Sequence, residues 1–140
     1  MNRILLAVDG SDCALRAVAR LIERAPPAVE LELHLLNVQL PVDGLVRSFV
    51  SADELQAFHH AEAEAALAAA RARLAAAGMP FRQHVLVGHP AREICRLAAE
   101  LGCDEIVMGS HGRTGLVRLL LGSVAAEVRE QASVPVTLVE

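Results

Sequence analysis

The chain has no lysine, no tryptophan and no tyrosine. The missing lysine removes two phosphate chemistries at once. A Walker A loop needs a Lys on the β and γ phosphates, and a phospho-accepting receiver domain, which shares an alternating layout, normally uses a lysine near its last strand. Without Trp or Tyr, those two platforms for stacking a base are also absent. All 13 basic residues are arginines, the net charge is -4, and they form no basic stripe, which argues against sequence-independent nucleic-acid binding.

Cysteine is scarce as well. Cys13, Cys95 and Cys103 are an odd number and form no C-x-x-C pair, so neither a disulfide framework nor a cysteine zinc site is expected. They read as small core residues in a reducing compartment. The apolar run Ile4 to Val8 is cut by Asp9, too short for a signal peptide, and no run reaches membrane length. The expectation is a soluble, cytoplasmic protein with no membrane partner. A length of 140 residues suits one domain over residues 1–140, which at this size hides roughly 68 to 70% of its unfolded surface. Hydrophobic residues are 54% and aromatics only 2%, so the core must be built from Ala, Val, Leu and Ile.

What is present is an alternation of short apolar runs and helical patterns. Arg3 to Val8 reads as a strand buried on both faces. Asp9-Gly10-Ser11-Asp12 gives a turn and an N-cap, and Ala14, Val18, Leu21 and Ile22 share a helical face up to Pro26-Pro27. Glu30 to Val38 is a second strand, with His34 as a structural strand residue. Gln39 to Val50 reads as a surface loop. Ser51 to Glu54 is a capping box opening a long Ala-rich helix that lasts until Gly78 and Pro80. His59 and His60 on it are sequence neighbours and cannot share a face to chelate one metal.

Phe81 to Val87 alternates apolar and polar, as a half-exposed strand at a sheet edge would. Pro90 suits the first turn of a helix carrying Ile94, Leu97, Ala98 and Leu101 and closed by Gly102. Asp104 to Met108 is the fourth strand. Val134 to Val139 is the fifth, and Pro135, which cannot donate to a ladder, makes it an edge strand. Such a pattern predicts an α/β fold with a parallel sheet, in which ligands bind outside the carboxyl ends of the strands. Asp9, Val38 and Gly109 fall at those ends.

The stretch Gly109 to Ser123, GSHGRTGLVRLLLGS, follows the fourth strand directly and holds Gly109, Gly112, Gly115 and Gly122. Glycines let backbone amides approach a ligand, and a helix start at Ser123 favours an anion, by about 0.3 to 1 kcal/mol even when exposed. Phosphate is the natural anion for such a cradle. A tight turn without a ligand gives the same glycines, and on spacing alone both readings stand.

Gly109-x-x-Gly112, nine residues, then Gly122-Ser123 resembles the nucleotide-binding signature of the ATP-binding branch of the universal stress protein family. Ile4 to Ser11, Gly88 to Gly102 and Val134-Pro135-Val136 resemble the same family, so the likeness covers nearly the whole chain. It implies a five-stranded open parallel sheet of order 3-2-1-4-5 with helices on both faces. It also implies an ATP site with Asp9 near the adenosine, Val38 contacting adenine through its backbone, and Met108 and Gly109 on the ribose side. Gly112, Gly122, Ser123 and Val124 would hold the phosphates, with Arg113 in their neighbourhood. His111 and Arg118 lie close by without a fixed role.

Plain alternatives remain: Asp9 as a turn cap, Ser123 as an N-cap only, and the arginines as solvated charges. Asp9 or Asp12 could hold a magnesium ion brought with ATP. No dedicated base stands near the loop, so at most slow hydrolysis is expected. An open apolar edge strand invites pairing, so a homodimer through Val134 to Val139 is expected, with a nucleotide-dependent role in stress response or signalling. The alternative is a nucleotide-free docking module of the same fold. A dinucleotide oxidoreductase is disfavoured, because DGSDC stands where a G-x-G-x-x-G is needed.

Overall fold

In the computed structural model, which describes residues 2–25, 30–112 and 121–140, the apolar runs become five parallel strands in the order β3-β2-β1-β4-β5. These are β1 (Asn2–Ala7), β2 (Leu31–Gln39), β3 (Arg82–Val87), β4 (Glu105–Gly109) and β5 (Val136–Val139). Five helices accompany them: α1 (Asp12–Arg24), the short α2 (Gly44–Arg47), α3 (Ala52–Ala76), α4 (Pro90–Glu100) and α5 (Ser123–Gln131). Order and class agree with the expected 3-2-1-4-5 α/β sheet.

The central strands lack polar alternation because both of their faces are covered. Ile4, Leu6 and Val8 of the β1 segment join Leu33, Leu35 and Val107 against α1 and α3. The intervening Leu5 and Ala7 join Leu36, Ile106 and Met108 against α4 and α5. Successive strand residues point to opposite faces, so one continuous apolar run supplies two cores. β3, at the edge, keeps its alternation, with Arg82, Gln83, Val85 and Val87 exposed.

Local signals set the element ends. Ser11 caps α1, its Oγ accepting from the Ala14 amide at 3.1 Å. Ser51 and Glu54 form the reciprocal capping box of α3, at 3.1 and 3.3 Å. α1 ends at Arg24 with Ala25 as its cap; Pro26-Pro27 lie outside the described residues. Besides one-residue shifts at several strand ends, two larger differences from expectation appear. The loop after β2 contains the turn of helix α2, because Asp43 accepts from the Leu45 amide at 2.8 Å and caps it. β5 begins at Val136, since Pro135 has no N–H, although its carbonyl still accepts from Ile106 at 3.0 Å.

Cys13 and Cys103 are buried and Cys95 half-buried, all as free thiols, and burial pushes the Cys95 and Cys103 thiols up. Among the described residues no helix is long and apolar enough to cross a membrane.

Candidate functional site

The order of the sheet reverses direction of growth around β1: β2 lies to one side and β4 to the other. Their connections leave toward opposite faces, and a crevice opens where they part. It is a cleft of about 650 Å³ at the carboxyl ends of β1, β2 and β4, bordered also by α3, α4 and the start of α5.

Its floor begins at β1. The Asp9 Oδ1 accepts from the Ser11 amide at 2.9 Å, which folds the chain sharply into α1. Gly10 makes that fold possible: its φ is +85°, and a Cβ there would stand 3.1 Å from the Ala66 Cα of α3. The turn alternative for Asp9 is thus realised by one carboxylate oxygen, while Ser11 performs the capping. Asp9 is the one carboxylate bordering the cleft among the described residues. Asp12, exposed on the first turn of α1, does not border it.

The β4 side is assembled by close backbone approach. At Gly109 a Cβ would lie 3.0 Å from both the backbone carbon and the Sγ of Cys13, so this glycine is needed to seat α1 against β4. The Gly122 amide donates to the Ser110 carbonyl at 2.8 Å, and a Cβ on Gly122 would stand 3.0 Å from that same oxygen. The two ends of the glycine-rich stretch are thereby tied together. Arg113, Gly115 and Arg118 lie between them, outside the described residues.

Gly122 is the N-cap of α5 and supplies no side-chain cap; Ser123 is the first helical residue. This corrects the alternative in which Ser123 serves as the N-cap. The first intrahelical bond runs from Ala126 to the Gly122 carbonyl at 2.9 Å. The amides of Ser123, Val124 and Ala125 therefore precede the helical ladder, and all three residues border the cleft. Beside them the Ser110 Oγ and His111 Nδ1 are 2.8 Å apart.

The opposite end rests on β2 and α3 and sets apolar side chains beside the amides of Asn37 and Gln39. Val38 and Leu40 border it, and Phe58 of α3, 48% exposed, stands at its mouth. Sequence reasoning reached Val38 but missed Gln39, Leu40 and Phe58. Gln39 and Leu40 fell in the loop reading, and nothing in the periodicity of α3 distinguishes Phe58 from any other outward residue. The expected site residues Asp9, Val38, Met108, Gly109, Gly112, Gly122, Ser123 and Val124 all border this one cleft. Among the described residues, the cleft offers amides outside the helical ladder at one end and largely apolar side chains at the other. That division suits a ligand with an anionic group and a planar apolar one. Among the described residues no group of three or more His, Cys, Asp or Glu side chains could hold a metal ion.

Comparison with known proteins gives this geometry a context. Universal stress protein MJ0531 of Methanocaldococcus jannaschii is 33% identical over 145 aligned residues, covering 99% of this chain and 82% of that protein. Universal stress protein YxiE of Bacillus subtilis is 31% identical, covering 99% and 98%. Among solved structures, protein MJ0577 of M. jannaschii superposes with a TM-score of 0.84 at 32% identity, covering 99% of this chain and 94% of that one. A universal stress protein in complex with cAMP gives 0.73 at 28%, covering 99% and 97%. The universal stress protein of Archaeoglobus fulgidus in complex with dAMP gives 0.69 at 25%, covering 100% and 98%. The family model described as the universal stress protein family matches residues 1–140. The chain belongs to the universal stress protein family.

Proposed function

We propose that the cleft binds an adenine nucleotide, ATP foremost, and that its occupancy controls a stress-response or signalling role. The observation that carries this reading is the start of α5. Three amides with no partner in the helical ladder border the same cleft as Gly112 and Asp9, and they sit opposite an apolar slot. A phosphate chain suits the amides, because a helix start favours negative charge. A purine suits the slot. The relatives solved with cAMP and with dAMP carry ligands that share an adenine base and a phosphate.

Asp9 is the lining carboxylate that could hold a magnesium ion brought with the phosphates; its Oδ1 is engaged by Ser11 and its Oδ2 faces Gly112. Ser123, Val124, Gly122 and Arg113 are assigned to the phosphates, Met108 and Gly109 to the ribose side, and Val38 to the base. The protein is further proposed to act in the cytoplasm as a homodimer joined through β5, whose outer edge is the end of the sheet.

The test is to purify the protein without added nucleotide, denature it, and resolve the released small molecules by anion exchange, with Gly122→Val alongside. ATP or ADP near one per chain, absent from the variant, supports the reading. Valine at 122 meets the Ser110 carbonyl, so a melting curve must accompany the variant. If nothing is released, titration with ATP and magnesium by calorimetry decides. Silence there favours a nucleotide-free docking module.

A further inference from the structure

The two ends of the cleft fix which way round a nucleotide lies. If the phosphates meet α5, the base reaches the β2 end, beside Val38, Gln39, Leu40 and Phe58. On the nucleotide reading above, side chains at this end of the cleft read the base.

At the end of β2 two side-chain amides are held in one orientation. The Asn37 Nδ2 donates to the Val8 carbonyl at 2.9 Å. A carbonyl can only accept, so the donor end of the Asn37 amide is committed there and its Oδ1 faces the other way. The Gln39 Nε2 donates to that Oδ1. The Gln39 amide is therefore also fixed, with its donor end turned to Asn37 and its Oε1 left as an acceptor. Among the described residues no donor reaches this oxygen, and it is not a buried orphan. Asn37 is buried and Gln39 is half-buried at the cleft.

Strand alternation puts Gln39 on the same face of the sheet as Leu33 and Leu35, which pack against α1 and α3. Phe58 belongs to α3, so the amide and the ring border the cleft from one side. An acceptor oxygen that borders the same cleft as an apolar ring is complementary to a planar base that carries an exocyclic amino group. A base with an oxo group at that position would set lone pair against lone pair, and the relay to Val8 prevents the amide from flipping to accommodate it.

We propose that Gln39 is a specificity-determining residue: its Oε1, oriented by Asn37 and Val8, accepts from the amino group of an adenine base and discriminates against 6-oxopurines. Phe58 supplies apolar contact to either base without choosing between them.

Calorimetric titration of the full chain with ATP and with ITP, which differ at that group, provides the test. The wild type is expected to bind ATP about tenfold or more tightly than ITP. Gln39→Met keeps the length of the side chain and removes the acceptor; it is expected to bring the two affinities within about twofold of each other. Phe58→Ala is expected to weaken both nucleotides equally and leave the ratio unchanged. Melting curves establish that each variant folds. Equal binding of ATP and ITP by the wild type, or an unchanged ratio in Gln39→Met, overturns the assignment of Gln39 and leaves the nucleotide site standing. Binding of neither nucleotide overturns both.

Discussion

The Oδ2 of Asp9 stands 3.0 Å from the point that a Cβ on Gly112 would occupy. These residues lie more than a hundred positions apart in sequence, yet the loop after β4 closes directly over the carboxylate that ends β1. Gly112 is the residue type that permits that closure.

Gly112→Ala should therefore push the Asp9 carboxylate aside or lift the loop. The proposed site predicts an ATP affinity lower by about tenfold, or roughly 1.4 kcal/mol. The strands and helices should survive, because the new methyl meets a side-chain oxygen rather than backbone. Calorimetry beside a melting curve checks both halves; unchanged affinity would remove Asp9 and Gly112 from the binding site.

At the amino end of β4, away from the cleft, Glu105 receives both Arg24 amino nitrogens, at 2.8 and 2.9 Å, and the Thr137 hydroxyl. Burial pushes the Glu105 carboxyl up, but the Arg24 and Thr137 hydrogen bonds outweigh it and hold it below its ordinary value of 4.5. A depressed carboxyl contributes stability that is full above 4.5 and is lost as pH falls through the folded value. Because Arg24 is nearly half exposed, Arg24→Ala should cost only about 0.5 to 1 kcal/mol at neutral pH. Denaturant melts at pH 7 and pH 3 should show that gap closing in acid.

A second pH dependence comes from the paired strands β2 and β3. His34 Nδ1 and His84 Nε2 are 2.9 Å apart, so at most one of the facing nitrogens carries a proton. Burial first, then His34 and Arg82, hold His84 below its ordinary 6.5. The unfolded chain thus binds the proton more readily, and stability should decline as pH falls from about 6.5 toward the folded value. His84→Gln, which retains a hydrogen-bonding group, should flatten this slope between pH 7 and 5; an unaltered slope would assign it elsewhere.

The proposed dimer pairs β5 with its counterpart in a second copy of the chain. Val136 opens β5 at the sheet edge and is half-buried. Val136→Asp should shift sedimentation from dimer to monomer, since a buried unpaired carboxylate opposes strand pairing. A variant that stays dimeric would exclude this edge.

Much of the architecture could be read in advance because it is written in local periods. Ile4 to Val8 could only be a strand covered on both faces, and Ser51 to Glu54 carried the start of α3 in four residues. Periods do not report what a side chain meets. Gly109 looked like a ligand-facing glycine, and the fold shows it also accommodates Cys13. Ser123 is of a type that caps helices, but the Gly122 carbonyl accepts the first helical bond, from Ala126, and the cap lies one residue earlier.

Residue order alone set the succession of the five strands and the four longer helices, the lack of a lysine for a Walker A loop, and the family. Each follows from residue type and spacing along the chain. Tertiary structure alone decided where Phe58, His84, Asn37 and Gln39 come to lie. Their partners Val8, His34 and the cleft are brought to them by strand pairing and helix packing, and a register between strands is a property of two segments at once.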